Sequence, residues 1–397
     1  MSERLENDCP GGPLRVCYGT HASNLTGANR SLLDLLAHLD RSRVHPVVLA
    51  RVEGPMLAEL DAMGIEWGLV PHHMLSIRNN RGMPWRDVLK GVVRGREVER
   101  VKRFIRSKDI CLLHNNSILN DMPMQAAREL DVPYVCHIRD MVQEDHNIQF
   151  LNEGRTRELV ADASATVAIS EFVAAKFSEW CSGERLRVIP DGVDASKYRI
   201  EHRPIMAGGR CELLMAGRFS PGKGQLDAIR AAEELRSRGH DAHLTLVGGT
   251  GDEAYRHACE SYVEQHGLWD AVTMLGFLDD ITPQKSMADV SLTCSYAEAL
   301  GRATIEGMLA GCLVVGADAG ATPEIVRHGR TGLLYEVGDA GALADCIARA
   351  IDSPKEARAM AVAGKQFALR AYDIRAYAGR VMDLYVEASE QHRKTRS

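Results

Sequence analysis

Short apolar runs recur along this chain, separated by longer stretches with apolar positions at helical spacing. In the first half the runs are Leu14–Tyr18, Val44–Ala50, Ile110–Leu113, Val132–Cys136, Ala165–Ile169 and Arg187–Ile189. In the second half they are Glu212–Ala216, His243–Val247, Val272–Leu275, Val290–Thr293, Cys312–Val315 and Gly332–Tyr335. Between them lie helical patterns such as Leu32, Leu33, Leu35, Leu36 and Leu39, or Leu226, Ile229, Ala232 and Leu235. Apolar strands alternating with amphipathic helices predict a parallel sheet covered by helices. The pattern occurs twice, on either side of a polar segment at 195–210 that holds Pro204, Gly208 and Gly209 and reads as a linker. The predicted class is α/β, with two doubly wound Rossmann-like domains. The expected order is a tail at 1–13, a first domain at 14–200, a second at 201–375, and a terminal helix within 376–397 that packs back on the first domain.

One stretch, Tyr296 to Gly311, organises the rest. Glu298 and Glu306 stand on either side of Gly301. A helix is predicted from Leu300 or Gly301 to Gly311, since glycine is favoured just past a helix end. Glu298 then lies in the loop before the helix, and Glu306 lies one turn after Arg302 on the same face. A strand, a glycine loop and a helix N-terminus make an anion site, and the two acids accept hydrogen bonds from hydroxyls around that anion. The combination suits a nucleotide sugar. The plainer reading makes Glu298 a cap and Glu306 a partner of Arg302.

Two glycine-rich loops precede this stretch. Gly217 to Gly224 carries Arg218 and Lys223 just before a helix at Gln225–Arg238, which suits a diphosphate: Arg grips two oxygens and Lys adds a point charge. The Walker spacing is missing. Gly249, Gly251 and Ala254 match the dinucleotide fingerprint only weakly, because no acid ends a second strand about 20 residues later.

In the first half, ligands of a parallel sheet gather at the carboxyl ends of its strands. That places His21, Asn24, Gly27 and Asn29 near a site, together with Asn115 in His114–Ser117, and His137 and Arg139 in His137–Asp140. His137 beside Arg139 suits a sugar hydroxyl or a phosphate, and a structural hydrogen-bonding role stands equally.

With 397 residues, 26% charged and 45% apolar, the composition is that of a soluble globular protein. A net charge of -6 argues against nucleic acid as a partner. The ten cysteines show no Cys-x-x-Cys pair and read as reduced thiols of a cytoplasmic protein. Residues 1–13 lack the apolar run of a signal peptide, and no window is apolar enough to span a membrane. The stretch Arg78–Lys108 stands apart, with 11 Lys or Arg against 3 acids. It suits peripheral contact with an anionic inner membrane surface, or a surface helix whose cationic stems fold over the core. Gly82, Gly91 and Gly95 weaken it as one continuous helix.

Together, Gly217-Arg218 with Lys223-Gly224, Glu298-x7-Glu306, and Pro323-Glu324 before Gly332 resemble the retaining nucleotide-sugar glycosyltransferases of family four. These have the GT-B fold, two Rossmann-like domains facing a cleft. The resemblance is strong from about 212 to 350. It is looser in the first half, where Thr26-Gly27-Ala28, Asn115-Asn116-Ser117, His137-Ile138-Arg139 and Ile189–Asp194 resemble members that build polysaccharides or decorate natural products. The resemblance implies that Arg218 and Lys223 hold the donor diphosphate, with Gly217 in the same loop. Glu298 would orient the donor sugar without acting as a nucleophile. The amides of Leu300, Gly301 and Arg302 would touch sugar and phosphate, and Glu306 would hold the ribose. His137 would face the donor sugar, Gly27 would line the phosphate and acceptor side, and Asn24, Asn29, Asn115 and Arg139 would lie toward the acceptor. Ala299 departs from the glycine or proline of many members and leaves the choice of sugar open. Two cations and a helix N-terminus replace a metal ion in this reading, so no metal and no cofactor are expected. The implied activity is retaining transfer from a UDP or GDP sugar to a hydroxyl of a glycan, a lipid-linked acceptor or a natural product. A nucleotide-sugar epimerase or phosphorylase on the same fold, or a non-catalytic binding protein, are the alternatives.

Overall fold

The structure, a computed structural model, describes residues 12–396 except 26, 75, 79–84, 143, 145–147, 182, 199–204 and 208, with backbone alone at 76–78, 85–92, 148, 395 and 396. Most of the expected tail, Thr26, Gly82, Pro204 and Gly208 lie outside the described residues. The chain divides into two compact units, one made of Met1–Gly192 with Ile374–Ser397, the other of Val193–Asp373.

The strands of the first unit are β1 (Leu14–Gly19), β2 (Val44–Ala50), β3 (Glu66–Leu69), β4 (Ser76–Arg78), β5 (Leu112–Asn115), β6 (Tyr134–Ile138), β7 (Ile148–Phe150), β8 (Ala165–Ala168) and β9 (Leu186–Val188). Seven of them form a parallel sheet in the order β3-β2-β1-β5-β6-β8-β9. Val47, Val48, Leu49, Leu112, Leu113, Val135 and Val167 are fully buried, as strands covered on both faces require. β4 and β7 pair antiparallel in a separate ribbon that the hydrophobic pattern did not announce. The last helix, Ile374–Arg396, adds Tyr377, Val381 and Tyr385 to this unit's core.

The second unit carries β10 (Cys211–Ala216), β11 (Ala242–Val247), β12 (Val272–Leu275), β13 (Val290–Thr293), β14 (Leu313–Ala317) and β15 (Leu333–Tyr335). Their order is β12-β11-β10-β13-β14-β15, all parallel. In both sheets the strand order reverses once, between β1 and β5 and between β10 and β13. Ligands of open α/β sheets bind outside the carboxyl ends of the strands at such a point.

Two expectations need correction. The basic stretch forms one helix, Trp85–Ser107, that runs through Gly91 and Gly95. Its buried Val98, Val101 and Ile105 anchor the turns after them, and such packing outweighs a glycine cost of about 1 kcal/mol each. β5 and β6 end two residues later than the apolar runs suggest, so His114, Asn115 and His137 sit inside strands. Among the described residues, eight cysteines are free thiols.

Candidate functional site

The reversal point of the second sheet is built from two loops laced together. After β10 the chain makes one 3-10 turn, Pro221–Lys223, and reaches Gly224 at φ +74°. A Cβ there would sit 2.3 Å from the Cys294 carbonyl oxygen, so only glycine lets the two loops approach. The Tyr296 amide donates to the Gly222 carbonyl at 3.0 Å. This brings Lys223 Nζ to 3.1 and 2.8 Å from the two carboxylate oxygens of Glu298. The Glu298 backbone carbonyl accepts from the Ala321 amide at 2.8 Å, which fixes it from the β14 side. Burial works to raise the Glu298 carboxyl, but the Lys223 charge and hydrogen bonds from Lys223 and Ser295 hold it below the usual carboxylate range.

The helix Arg302–Ala310 starts after Gly301, at φ +93°, and stops at Gly311, at φ +90°. Its first-turn amides lie beside Glu298 in sequence and point away from the helix body. Glu306 faces two cations. Arg302 Nε lies 2.8 Å from one oxygen and Lys285 Nζ 2.6 Å from the other. Lys285 is 2% exposed, and its ammonium stands 4.5 Å from the Tyr198 ring centroid. Burial works to raise the Glu306 carboxyl, yet the charges of Lys285 and Arg302, with hydrogen bonds from Lys285 and Tyr198, bring it down to about 2. Sequence reasoning missed Lys285 and Tyr198. Lys285 stands in a short helix, Thr282–Met287, where nothing in the spacing ties it to Glu306.

Arg218 is exposed at the same edge. Gln225 Nε2 donates to its carbonyl at 2.9 Å, and its stem fills the space a Cβ on Gly251 would take, 2.5 Å away. The dinucleotide-like glycines therefore serve close packing: the Phe219 amide donates to the Gly249 carbonyl, and the Gly251 amide donates back to Phe219.

The first unit places its predicted residues in two groups. His137 and Arg139 lie in a fully buried network. Arg139 donates from Nε to Asn116 Oδ1 at 2.9 Å, from Nη1 to both oxygens of Asp191, and from Nη2 to the Tyr377 hydroxyl at 3.0 Å and to His137 Nδ1 at 3.2 Å. His137 Nδ1 also lies 3.2 Å from His114 Nε2, whose Nδ1 lies 2.8 Å from the Tyr385 hydroxyl. Because His137 Nδ1 accepts from Arg139, the neutral ring carries its proton on Nε2, which has no hydrogen-bond partner and stands 4.0 Å from Asp191. Burial first, and then the Arg139 charge, keep both imidazoles neutral; His114 is pushed down to about 3. The second group is Asn24, Gly27 and Asn29. Asn29 Nδ2 donates to Ala22 O, Asn24 O and Asn24 Oδ1 at 3.2, 2.9 and 3.0 Å, and so shapes the loop before the helix Gly27–Ala37. Asn115 Nδ2 does the same for the next loop, donating to Ser117 and Asn120 carbonyls at 2.8 and 3.1 Å. Asn116 joins the groups through its Nδ2 bond to Ala28 O at 3.2 Å. Among the described residues, no three His, Cys, Asp or Glu side chains gather as metal ligands.

Residues 25–197 match the family described as Glycosyltransferase Family 4, and residues 201–367 match glycosyl transferases group 1. The chain is 28% identical over 246 residues to the GDP-mannose-dependent alpha-(1-6)-phosphatidylinositol monomannoside mannosyltransferase of Mycolicibacterium smegmatis, covering 57% of this chain and 63% of that protein. It is 29% identical over 237 residues to the 2-deoxystreptamine glucosyltransferase of Streptomyces kanamyceticus, covering 57% and 59%. The chain thus spans less than two thirds of the length of these curated relatives. Among solved structures, Anabaena HepE in complex with UDP-glucose superposes with a TM-score of 0.79 at 22% identity, covering 94% of this chain and 99% of that one. A glycosyltransferase from Rickettsia africae gives a TM-score of 0.77 at 17% identity, over 95% and 98%.

Proposed function

The chain belongs to the family-four type of glycosyltransferases with the GT-B fold, and we propose that it moves a sugar from a nucleoside-diphosphate sugar to a hydroxyl acceptor, with retention and without a metal ion. One observation carries this reading: Lys223, Glu298, Glu306 and a helix N-terminus converge at the strand-order reversal of a single sheet. Breaking a sugar–phosphate bond builds negative charge on the leaving diphosphate. Fixed cations and amides stabilise that charge as it develops, and one such donor is worth about 3 kcal/mol. Arg218 and Lys223 take the diphosphate, with Gly217 and the amides of Leu300, Gly301 and Arg302 around it. Glu298 accepts hydrogen bonds from sugar hydroxyls, and its pairing with Lys223 keeps it an ionised acceptor. Glu306 takes the ribose diol. His137, with its proton on the unpartnered Nε2, offers a donor to a sugar hydroxyl or a phosphate at the strand ends of the first unit. Gly27, Asn24, Asn29 and Asn115 shape the acceptor side, and Arg139 acts there through His137 and Asp191.

The HepE complex contains UDP-glucose, and the mycobacterial relative is named for GDP-mannose; both bases stay open here. Among the described residues no helix is long and apolar enough to cross a membrane. The helix Trp85–Ser107 exposes Arg96, Arg100, Arg103 and Arg106, which suits peripheral contact of a cytoplasmic enzyme with the inner membrane surface. Co-sedimentation with anionic vesicles at low salt tests that contact, and absence of binding removes it.

Thermal unfolding with UDP, GDP, ADP and NAD, each in excess chelator, tests the function. A ligand at 100 times its dissociation constant adds about 2.7 kcal/mol. A shift with one nucleoside diphosphate supports the transferase and names the base. A shift with NAD alone, or with none, overturns it.

A further inference from the structure

At the carboxyl ends of β1, β2 and β3, the three following loops meet around Arg51. Its Nε donates to the His21 carbonyl at 2.9 Å and its Nη1 to the His72 carbonyl at 3.4 Å. Ser23 Oγ donates to Val52 O at 2.6 Å, and the Met56 amide to Ser23 O at 3.0 Å, which ties the first two loops. His72 joins the third, with Nδ1 2.7 Å from Val70 O and Nε2 3.1 Å from Asn120 Oδ1.

Every other buried cation described above has a carboxylate: Arg139 has Asp191 and Lys285 has Glu306, and the helix Trp85–Ser107 adds Arg94 with Asp121. Arg51 has only two neutral carbonyls, and among the described residues no carboxylate pairs with it. Glu97, whose charge reaches His72, holds His73 and Arg100, and Glu53, two residues along the chain from Arg51, is exposed and forms no ion pair with it. Burial pulls the Arg51 guanidinium below its ordinary range, with nothing opposing it. Burial and the Arg51 charge likewise help keep His72 neutral, so the imidazole adds no competing charge.

A half-buried cation without a counter-charge has lost hydration and regains free energy when an anion arrives. The carbonyls engage Nε and one side of the fork. Nη2 has no hydrogen bond and is not a buried atom, so that edge faces solvent. An open guanidinium edge binds paired anionic oxygens. It also stands at the strand end of β2, beside β1, on the ligand-bearing edge of the sheet. We propose that Arg51 is an anion site on the acceptor side and that the acceptor carries a phosphate, of a lipid or of a soluble sugar. A phosphate, with more than one charge and three acceptor oxygens, regains the most there. The acceptor role rests on the transferase reading; the anion site does not.

The test titrates inorganic phosphate into the full chain saturated with whichever nucleoside diphosphate raises its unfolding temperature, so that the donor cations are occupied. Arg51→Gln keeps a donor for the His21 carbonyl and removes the charge. It should weaken phosphate about tenfold or more while leaving the nucleotide shift intact, and Arg51→Lys should weaken it less. Equal phosphate affinity in wild type and Arg51→Gln overturns the site. So does a wild type that binds no phosphate at millimolar concentration, whatever the variants do. A wild type that responds to no nucleoside diphosphate sinks the transferase reading instead, and the phosphate titration, run without nucleotide, still decides Arg51. Phosphatidylglycerol vesicles and glycerol phosphate then separate the sources. Arg51-dependent vesicle binding assigns a lipid phosphate, and Arg51 dependence with glycerol phosphate alone assigns a soluble one. Dependence with neither overturns the proposal.

Discussion

The two sheets share an architecture and differ in what the loops at the carboxyl ends of their strands do with charge. In the first unit, Arg139 and Asp191 are 1% and 6% exposed, and the donors of Arg139 end on Asn116, Asp191, Tyr377 and His137. In the second, Lys223 and Glu298 are 25% and 18% exposed, and the pair lies at a loop edge beside a helix N-terminus. A buried cluster in which every Arg139 donor is spent, although His137 Nε2 has no partner, holds strands and loops in one arrangement. A half-exposed pair can be reached by solvent and therefore by a ligand. A place at the carboxyl ends of the strands therefore does not by itself leave a charge pair open to a ligand; the depth of burial decides.

That contrast predicts its largest effect on stability in the first unit. Asp191→Asn removes the carboxylate that Arg139 needs and leaves a buried guanidinium short of charge. The expected loss is about 3–5 kcal/mol, read from urea unfolding. Lys223→Met breaks a partly solvated pair and should cost about 1 kcal/mol or less. Equal losses at the two places would remove the distinction.

The second unit should dominate activity. Lys223→Ala should lower turnover about a hundredfold, near 3 kcal/mol of transition-state stabilisation, with the unfolding temperature almost unchanged. Glu306→Ala should instead weaken nucleotide binding. Wild-type kinetics in both variants would mean that these residues are structural.

The legibility of the two regions differs for the same reason. Lys223 and Glu298 were each readable as candidate site residues because local signals bracket them, glycines where φ is positive, a helix start, and acids at fixed spacing, but their pairing was not. The helix from Gly301 to Gly311 is as the sequence predicts, and so are the parallel strands of both halves apart from β3, because apolar runs bounded by turn residues have few other solutions. Partners far apart in the chain were not readable. Arg139 meets Asp191 and Tyr377 only through tertiary packing, and Lys285 meets Glu306 from a different helix. The basic helix was misjudged because glycine propensity is local, whereas the burial of Val98, Val101 and Ile105 depends on the finished core.

A smaller effect follows from the first network. Tyr385→Phe leaves His114 Nδ1 without its partner 2.8 Å away and removes the 3.1 Å contact with the Tyr18 hydroxyl. Stranding a buried acceptor costs about 1–3 kcal/mol. Nucleotide-induced stabilisation should be unaffected, since the hydroxyl belongs to the first unit's core. A loss of nucleotide binding with intact stability would show that the buried network is coupled to the ligand after all.

The smallest effect at neutral pH is expected for Lys285→Met, and it sharpens the comparison from the other side. Glu306 is held at about 2 by Lys285 and Arg302 together. A carboxyl depressed in the folded state contributes stability that is complete above its ordinary value near 4.5 and is lost as pH falls toward the folded value. In the wild type that loss runs from about pH 4.5 down to about 2. With methionine at 285, Arg302 still pairs with Glu306 at 2.8 Å, so no buried charge is left alone. At pH 7 the carboxyl stays ionised and nucleotide binding should fall by about 1 kcal/mol or less. Below pH 5 the difference should grow, because the carboxyl now protonates nearer its ordinary range and the ribose diol loses its ionised acceptor. Nucleotide affinity measured from pH 7 to 4 should be flat in the wild type and drop in the variant. Parallel profiles would mean that Arg302 alone sets the charge of Glu306 and that Lys285 belongs with the buried, structural class of the first unit.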